Sequence, residues 1–144
     1  PEGQLKHPLR LEGWLFGGCF SVLSNLIGTP YLPKTFDQSV LFFEDINETS
    51  EKILRAWNQW IHSGLLKGVN GIILGKFVGL GSEEDLGVLA SELSARASLP
   101  VWTTSLIGHT SPNYPMPLGA PCLIENNQLT WQFTLNRKSE HGTL

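Results

Sequence analysis

The sequence of 144 residues is poor in cysteine: it has two, Cys19 and Cys122, far apart in the chain. They form no Cys-X-X-Cys pair, so neither a zinc knuckle nor a redox dithiol is suggested, and a reducing, cytoplasmic compartment is the expectation. Basic clusters are missing as well. Lys and Arg number 10 against 13 Asp and Glu, for a formal net charge of −3. Without a positive stripe to neutralise phosphates, nucleic acid is not an expected partner. No apolar run approaches the roughly 18 residues that a membrane helix needs, so no membrane partner is expected either. Two catalytic signatures are absent: there is no Gly-X-Ser-X-Gly elbow for a serine nucleophile, and the segment 17–28 lacks the Gly-X-Gly-X-X-Gly spacing of a dinucleotide site. Internal repeats and low-complexity segments are absent too.

What is there reads as one globular domain. The chain is 41% hydrophobic and 16% charged, which suffices for a real core at this length. It starts at Pro1, and residues 1–10 read as a lead-in or linker, so a piece of a longer protein is the expectation. Residues 9–18 (LRLEGWLFGG) read as a strand ending at a glycine pair, and 20–28 (FSVLSNLIG) as a short helix with Val22, Leu23 and Leu26 on one face. VLFFEDI, 40–46, reads as a buried strand. The stripe Ile53, Leu54, Trp57, Trp60, Ile61 predicts an amphipathic helix capped at Thr49 or Ser50 and stopped at Gly64. A further apolar strand spans 69–77. Ser82 and Asp85 then open a helix whose buried face is Leu86, Leu89, Ala90 and Leu93. LPVWTTSLIG, 99–108, reads as a strand. The segment 120–135 reads as two strands joined at the turn-prone Asn126-Asn127, and the last residues as a polar tail. Helical crossovers between apolar strands predict a mainly parallel central sheet, to which the terminal hairpin adds an antiparallel element.

Ionisable groups stand at the ends of two of these strands: Glu44-Asp45 after VLFF, and His109 after SLIG, ahead of a segment stiffened by Pro112, Pro115 and Pro117. Ligands of open α/β sheets collect at the carboxyl ends of strands. A carboxylate that accepts from one imidazole nitrogen fixes the tautomer and supports the imidazolium, so a Glu–His dyad is chemically sensible. The same residues also fit a loop histidine with a satisfied hydrogen bond and acids that cap a helix. The glycine pair Gly17-Gly18 lets the backbone approach a ligand or simply turn. Cys19 at the helix start is either a nucleophile paired with His109 and Glu44 or an inert cysteine. Ser21 and Ser24 read as ordinary helix residues.

Taken in order, LEGWLFGGCFSVLSNLIGTPYLP, SVLFFEDINE, VNGIILGKF and LPVWTTSLIGHTSPNYPMPLGA resemble the C-terminal half of the LD-carboxypeptidase family of serine peptidases. That family also holds the microcin C self-immunity hydrolases. The likeness runs from about Leu11 to Trp131, and its specific parts are the glycine–glycine turn leading to IGTPYLP and the GHTSPNYPMPLG segment. The resemblance implies a three-layer β/β/α domain of the swivelling type over residues 11–137, with 138–144 as tail. It also implies a Ser–Glu–His triad, in which Glu44 matches the acid and His109 the base, with Asp45 only a neighbour. Gly17, Gly18 and Cys19 match the wall of the substrate cleft, where many members carry asparagine in place of the cysteine. The serine belongs to an N-terminal domain that this chain lacks, so that domain is the implied partner, together with a peptide-like small substrate. No metal and no organic cofactor are implied. A homodimer is a further family expectation. Two other readings stay open: a hydrolase that depends on Cys19, and a non-catalytic interaction or regulatory α/β module.

Overall fold

The structure, a computed structural model, describes residues 10–132. The lead-in 1–9, the expected run of the last strand to Leu135 and the tail 138–144 lie outside those residues. Strand β1 (Arg10–Cys19) leads into helix α1 (Phe20–Asn25), strand β2 (Ser39–Ile46), helix α2 (Ser50–His62), strand β3 (Gly71–Val78), helix α3 (Glu83–Ala97) and the short strand β4 (Val101–Thr103). A hairpin of β5 (Pro121–Glu125) and β6 (Gln128–Trp131) follows. Its turn residues Asn126 and Asn127 have φ of 50° and 60°, the left-handed pair that a tight hairpin turn requires.

The sheet order is β4-β3-β2-β1-β5-β6. β1, β2, β3 and β4 pair in parallel, whereas β5 runs antiparallel to β1, and β6 to β5. The sheet therefore carries the parallel centre and antiparallel C-terminal hairpin that the sequence predicts. The hairpin attaches to β1, the first strand of the chain.

β2 is buried along almost its whole length, so its alternate residues serve two cores. Leu41 and Phe43 face the helices and pack with Phe20, Trp57, Trp60, Leu89 and Leu93. Val40 and Phe42 face the other way and pack with Leu15, Ile73, Ile107 and, from the hairpin, Cys122 and Ile124. The hairpin thus folds over the face opposite the helices, giving a β/β/α layering. In α2 the buried residues are Ile53, Trp57 and Trp60, the centre of the predicted stripe. Both indoles are satisfied: Trp57 Nε1 donates to the Leu93 carbonyl at 3.1 Å and Trp60 Nε1 to Ser24 Oγ at 2.9 Å. α3 starts with the predicted capping box, Ser82 Oγ accepting from Asp85 N–H while the Asp85 carboxylate takes the Ser82 N–H.

Two elements differ from expectation. α1 stops at Asn25 and continues in turns to Gly28, and its buried residues are Phe20 and Ser24, whereas Val22 is 56% exposed. The helix is set by what holds it: Asp45 grips its first turn and Trp60 grips Ser24. β4 keeps only three residues of the ten expected. Its partner β3 carries an irregularity beyond Leu74, and the chain leaves the ladder after Thr104 N–H reaches the Leu74 carbonyl.

Candidate active site

The alternation of β2 separates its two acids. Phe42 lies on the hairpin side and Phe43 on the helix side, so Glu44 and Asp45 leave the strand toward opposite layers. Asp45 is 2% exposed and does structural work at the start of α1. Its Oδ2 accepts from the Ser21 N–H at 2.8 Å, and its Oδ1 from Ser21 Oγ at 3.2 Å and from the Ile46 N–H at 2.9 Å. A carboxylate from the sheet thus caps a helix whose own N-cap, Cys19, offers no side-chain bond.

Glu44 stays on the other side and meets His109, which lies 65 residues further along the chain. His109 Nδ1 and Glu44 Oε2 form a hydrogen bond. The Glu44 side chain is 12% exposed and that of His109 is 40% exposed, so the acid sits inside and the imidazole at the rim. An ionised Glu44 can only accept, so Nδ1 is the donor of this bond, and in a neutral imidazole Nε2 is then the acceptor nitrogen. That is the state in which a histidine serves as a general base.

Three features bring the His109 segment to Glu44. In the β2–β3 ladder, Phe43 pairs with Leu74 but Asp45 pairs with Phe77, so Gly75 and Lys76 together stand opposite Glu44. This is a β-bulge with its extra residue on β3, unusual in a parallel pair. Gly75 leaves room where a Cβ would come within 2.7 Å of the Ile107 carbonyl oxygen and 3.2 Å of Glu44 Cβ. The extra residue also shifts the alternation: Phe77 takes the helix-side face of Ile72 and Leu74, and Lys76 turns toward the His109 segment. There the Lys76 N–H donates to the Ile107 carbonyl at 2.8 Å, and Lys76 Nζ donates to the carbonyls of Thr110 and Pro112 at 2.7 and 2.8 Å. Finally, Asn113 Oδ1 accepts from the Gly108 N–H at 3.1 Å, closing the turn that carries His109.

Glu44 and His109 share a groove of about 360 Å³ with Gly17, Gly18, Phe42 and Asn113 among its lining residues. Gly17 is paired with Phe42, and a Cβ there would fall 1.8 Å from the Phe42 carbonyl oxygen, so no side chain can stand between β1 and the groove floor. The structure therefore brings four of the five sequence candidates to one place. Cys19 is turned away. Gly18, at φ 146°, breaks the alternation, and Cys19 Sγ lies 3.5 Å from Asp45 Oδ1 and from Ser21 Oγ on the capping side. The other cysteine, Cys122, is buried among apolar side chains, which pushes its thiol pKa up to about 11.

A larger cavity of about 970 Å³ lies between α3, β4 and the hairpin, lined among others by Trp102, Leu106, Tyr114 and Trp131. It shares Ile107, Tyr114 and Met116 with the groove, and among the described residues its lining has no carboxylate, histidine or lysine, whereas the smaller groove is lined by both Glu44 and His109. Among the described residues no group of three or more His, Cys, Asp or Glu could hold a metal ion, and no helix is long and apolar enough to cross a membrane.

Sequence reasoning offered helix capping for the two acids together without assigning it to Asp45, and it gave no role to Lys76 or Asn113. For Asp45 the signal was present, since strict alternation through VLFFED puts adjacent acids on opposite faces. For Lys76 it was a lone charge in the apolar run 69–78. Its target, in contrast, depends on a bulge that no periodicity announces.

Comparisons with known proteins bear on the family and the fold. A family model described as the LD-carboxypeptidase C-terminal domain matches residues 12–124. The solved muramoyltetrapeptide carboxypeptidase from Oxalobacter formigenes superimposes with a TM-score of 0.72 at 33% identity, covering 83% of this chain and 44% of that one. The murein tetrapeptide carboxypeptidase of Pseudomonas aeruginosa is 28% identical over 128 residues, which is 87% of this chain and 42% of the relative. The microcin C7 self-immunity protein of Escherichia coli is 26% identical over 136 residues, 90% of this chain and 40% of the relative. The chain thus spans about two fifths of the length of these curated relatives.

Proposed function

Because the chain belongs to the LD-carboxypeptidase family and matches its C-terminal domain, we propose that it supplies the acid and the base of a Ser–Glu–His triad in a serine carboxypeptidase or amidohydrolase. The observation that carries this reading is the Glu44–His109 hydrogen bond, made through Nδ1 with the imidazole at the groove rim. The serine comes from a part of the protein outside this chain, which is the chain's partner in the complete enzyme. His109 Nε2 takes the serine proton as the hydroxyl attacks an amide carbonyl, then returns it to the leaving amine. Glu44 orients the ring and stabilises its charged form without itself being protonated. The oxyanion donors belong with the serine. Gly17 and Gly18 form the wall along which the substrate backbone lies.

The substrate is a small peptide: the L,D-amide of a muropeptide tetrapeptide, with D-alanine released, or an aminoacyl- or peptidyl-nucleotide of the microcin C kind. A cytoplasmic location and a homodimer belong to the same reading. The test uses the complete protein and both substrates. Replacing His109 by Ala is expected to lower turnover by on the order of 10⁴-fold or more. Near-normal hydrolysis by that variant would end the assignment. Alkylating Cys19, which faces Asp45 and not the imidazole, is expected to leave more activity than His109→Ala does. The opposite order would favour a cysteine hydrolase.

A further inference from the structure

We propose that Lys76 is a positioning residue for the general base: its ammonium holds the segment 107–113 so that the His109 imidazole stays on Glu44. The inference rests on the triad reading of His109.

The segment needs such a hold. Ile107 is 6% exposed and belongs to the hairpin-side core, and the next residue packed against that core is Met116. Between them residues 109–115 are exposed and contribute no buried apolar side chain. Two hydrogen bonds close the loop on itself, Gly108 N–H to Asn113 Oδ1 at 3.1 Å and Tyr114 N–H to the Leu106 carbonyl at 2.9 Å. Neither fixes the loop against the sheet. Beyond Gly108, the ties from this segment to the sheet among the described residues are the His109–Glu44 bond itself and the two bonds from Lys76 Nζ to the carbonyls of Thr110 and Pro112. An ammonium suits the task, because it offers three donors from one point and can grip diverging carbonyls. Being charged, it also makes stronger bonds to them than a neutral donor would.

The position of Lys76 is built rather than incidental. The bulge opposite Glu44 turns Lys76 to this face, its backbone N–H holds the Ile107 carbonyl at 2.8 Å, and its Cβ abuts Gly108, where an added Cβ would stand 2.9 Å away. One residue therefore secures both flanks of His109. Misplacement of a catalytic group by about 1 Å costs on the order of 10²-fold in rate, so a loosened segment should be felt in turnover.

The experiment compares Lys76→Met, Lys76→Arg and His109→Ala in the complete protein, with steady-state kinetics, melting temperature and proton NMR. The NMR readout is the downfield resonance expected of His109 Nδ1–H when it is hydrogen-bonded to Glu44. Lys76→Met is expected to lower kcat by about 10- to 100-fold with KM within about twofold, and to broaden that resonance. Lys76→Arg is expected to recover most of kcat and the resonance. Wild-type kcat and an intact resonance in Lys76→Met overturn the inference, as does a variant that only melts earlier without losing kcat. If His109→Ala keeps its turnover, the triad reading falls. The resonance then decides separately whether Lys76 holds the ring.

Discussion

Ser24 shows how much one hydroxyl can join. It is 5% exposed, donates to the Phe20 carbonyl at 2.7 Å and accepts from Trp60 Nε1 at 2.9 Å. It thereby ties α1 to α2 inside a cluster where the Phe20–Phe43 and Phe43–Trp60 ring centroids are 5.0 and 5.1 Å apart. Removing the hydroxyl strands a buried indole N–H, which costs about 1–3 kcal/mol. Ser24→Ala is therefore expected to lower the unfolding free energy by that amount, read as a lower urea midpoint at unchanged slope. In a Trp60→Phe background the same change should cost less, since no donor is left unpaired. Equal costs in both backgrounds, read from equilibrium unfolding, would show that the hydrogen bond does not couple the helices. Nothing in the helical spacing of residues 20–28 reveals this role, because the partner lies 36 residues away in sequence.

At the scale of elements, the bulge in β3 decides most. It begins where the pairing with β4 ends, leaves Gly75 beside Glu44 and re-aims Lys76. Two glycines in neighbouring elements should respond to the same substitution in opposite ways. Gly87 lies inside α3 with nothing within 4 Å of an added Cβ, so Gly87→Ala is expected to stabilise by about 0.5–1 kcal/mol. Gly75→Ala has to displace the Ile107 carbonyl, and is expected to cost about 1–3 kcal/mol and to lower turnover in the complete enzyme. Urea midpoints of the two variants check this, and the reversed order would refute the packing described at the site. Elements with a strong period were legible in the sequence: α2 from its Ile53–Trp57–Trp60 stripe, α3 from its Ser82–Asp85 start, the hairpin from Asn126-Asn127. The end of β4 was not, since the apolar run continues to Gly108 while the pairing with β3 stops at Leu74, where the register with β2 also shifts. The meeting of Glu44 and His109 could be anticipated from two strand ends. The anchoring of the His109 segment by Lys76 could not, since it depends on which way one extra residue turns.

On the scale of the whole molecule, two cores share one set of strands. Leu41 and Phe43 belong to the helix-side core and Val40 and Phe42 to the hairpin-side core, all on β2. Neither layer can lose its strands while the other keeps them. Unfolding by urea is accordingly expected as a single transition, with far-UV circular dichroism and tryptophan fluorescence coincident. Trp57 and Trp60 report on the helix side and Trp102 on the other. Two separated transitions would mean that the layers are independent units. The chain spans about two fifths of its curated relatives and holds its histidine at the open rim of the groove; under the proposed triad, that rim is where the serine has to arrive.

The neighbouring acids of β2 set a rule for anyone grafting this site onto another scaffold. Their carboxylates depart through opposite sides of the same ribbon, so one anchors a helix while the other serves the imidazole. A graft misaligned by a single place would deliver each acid to the wrong compartment, with every letter retained and the chemistry lost.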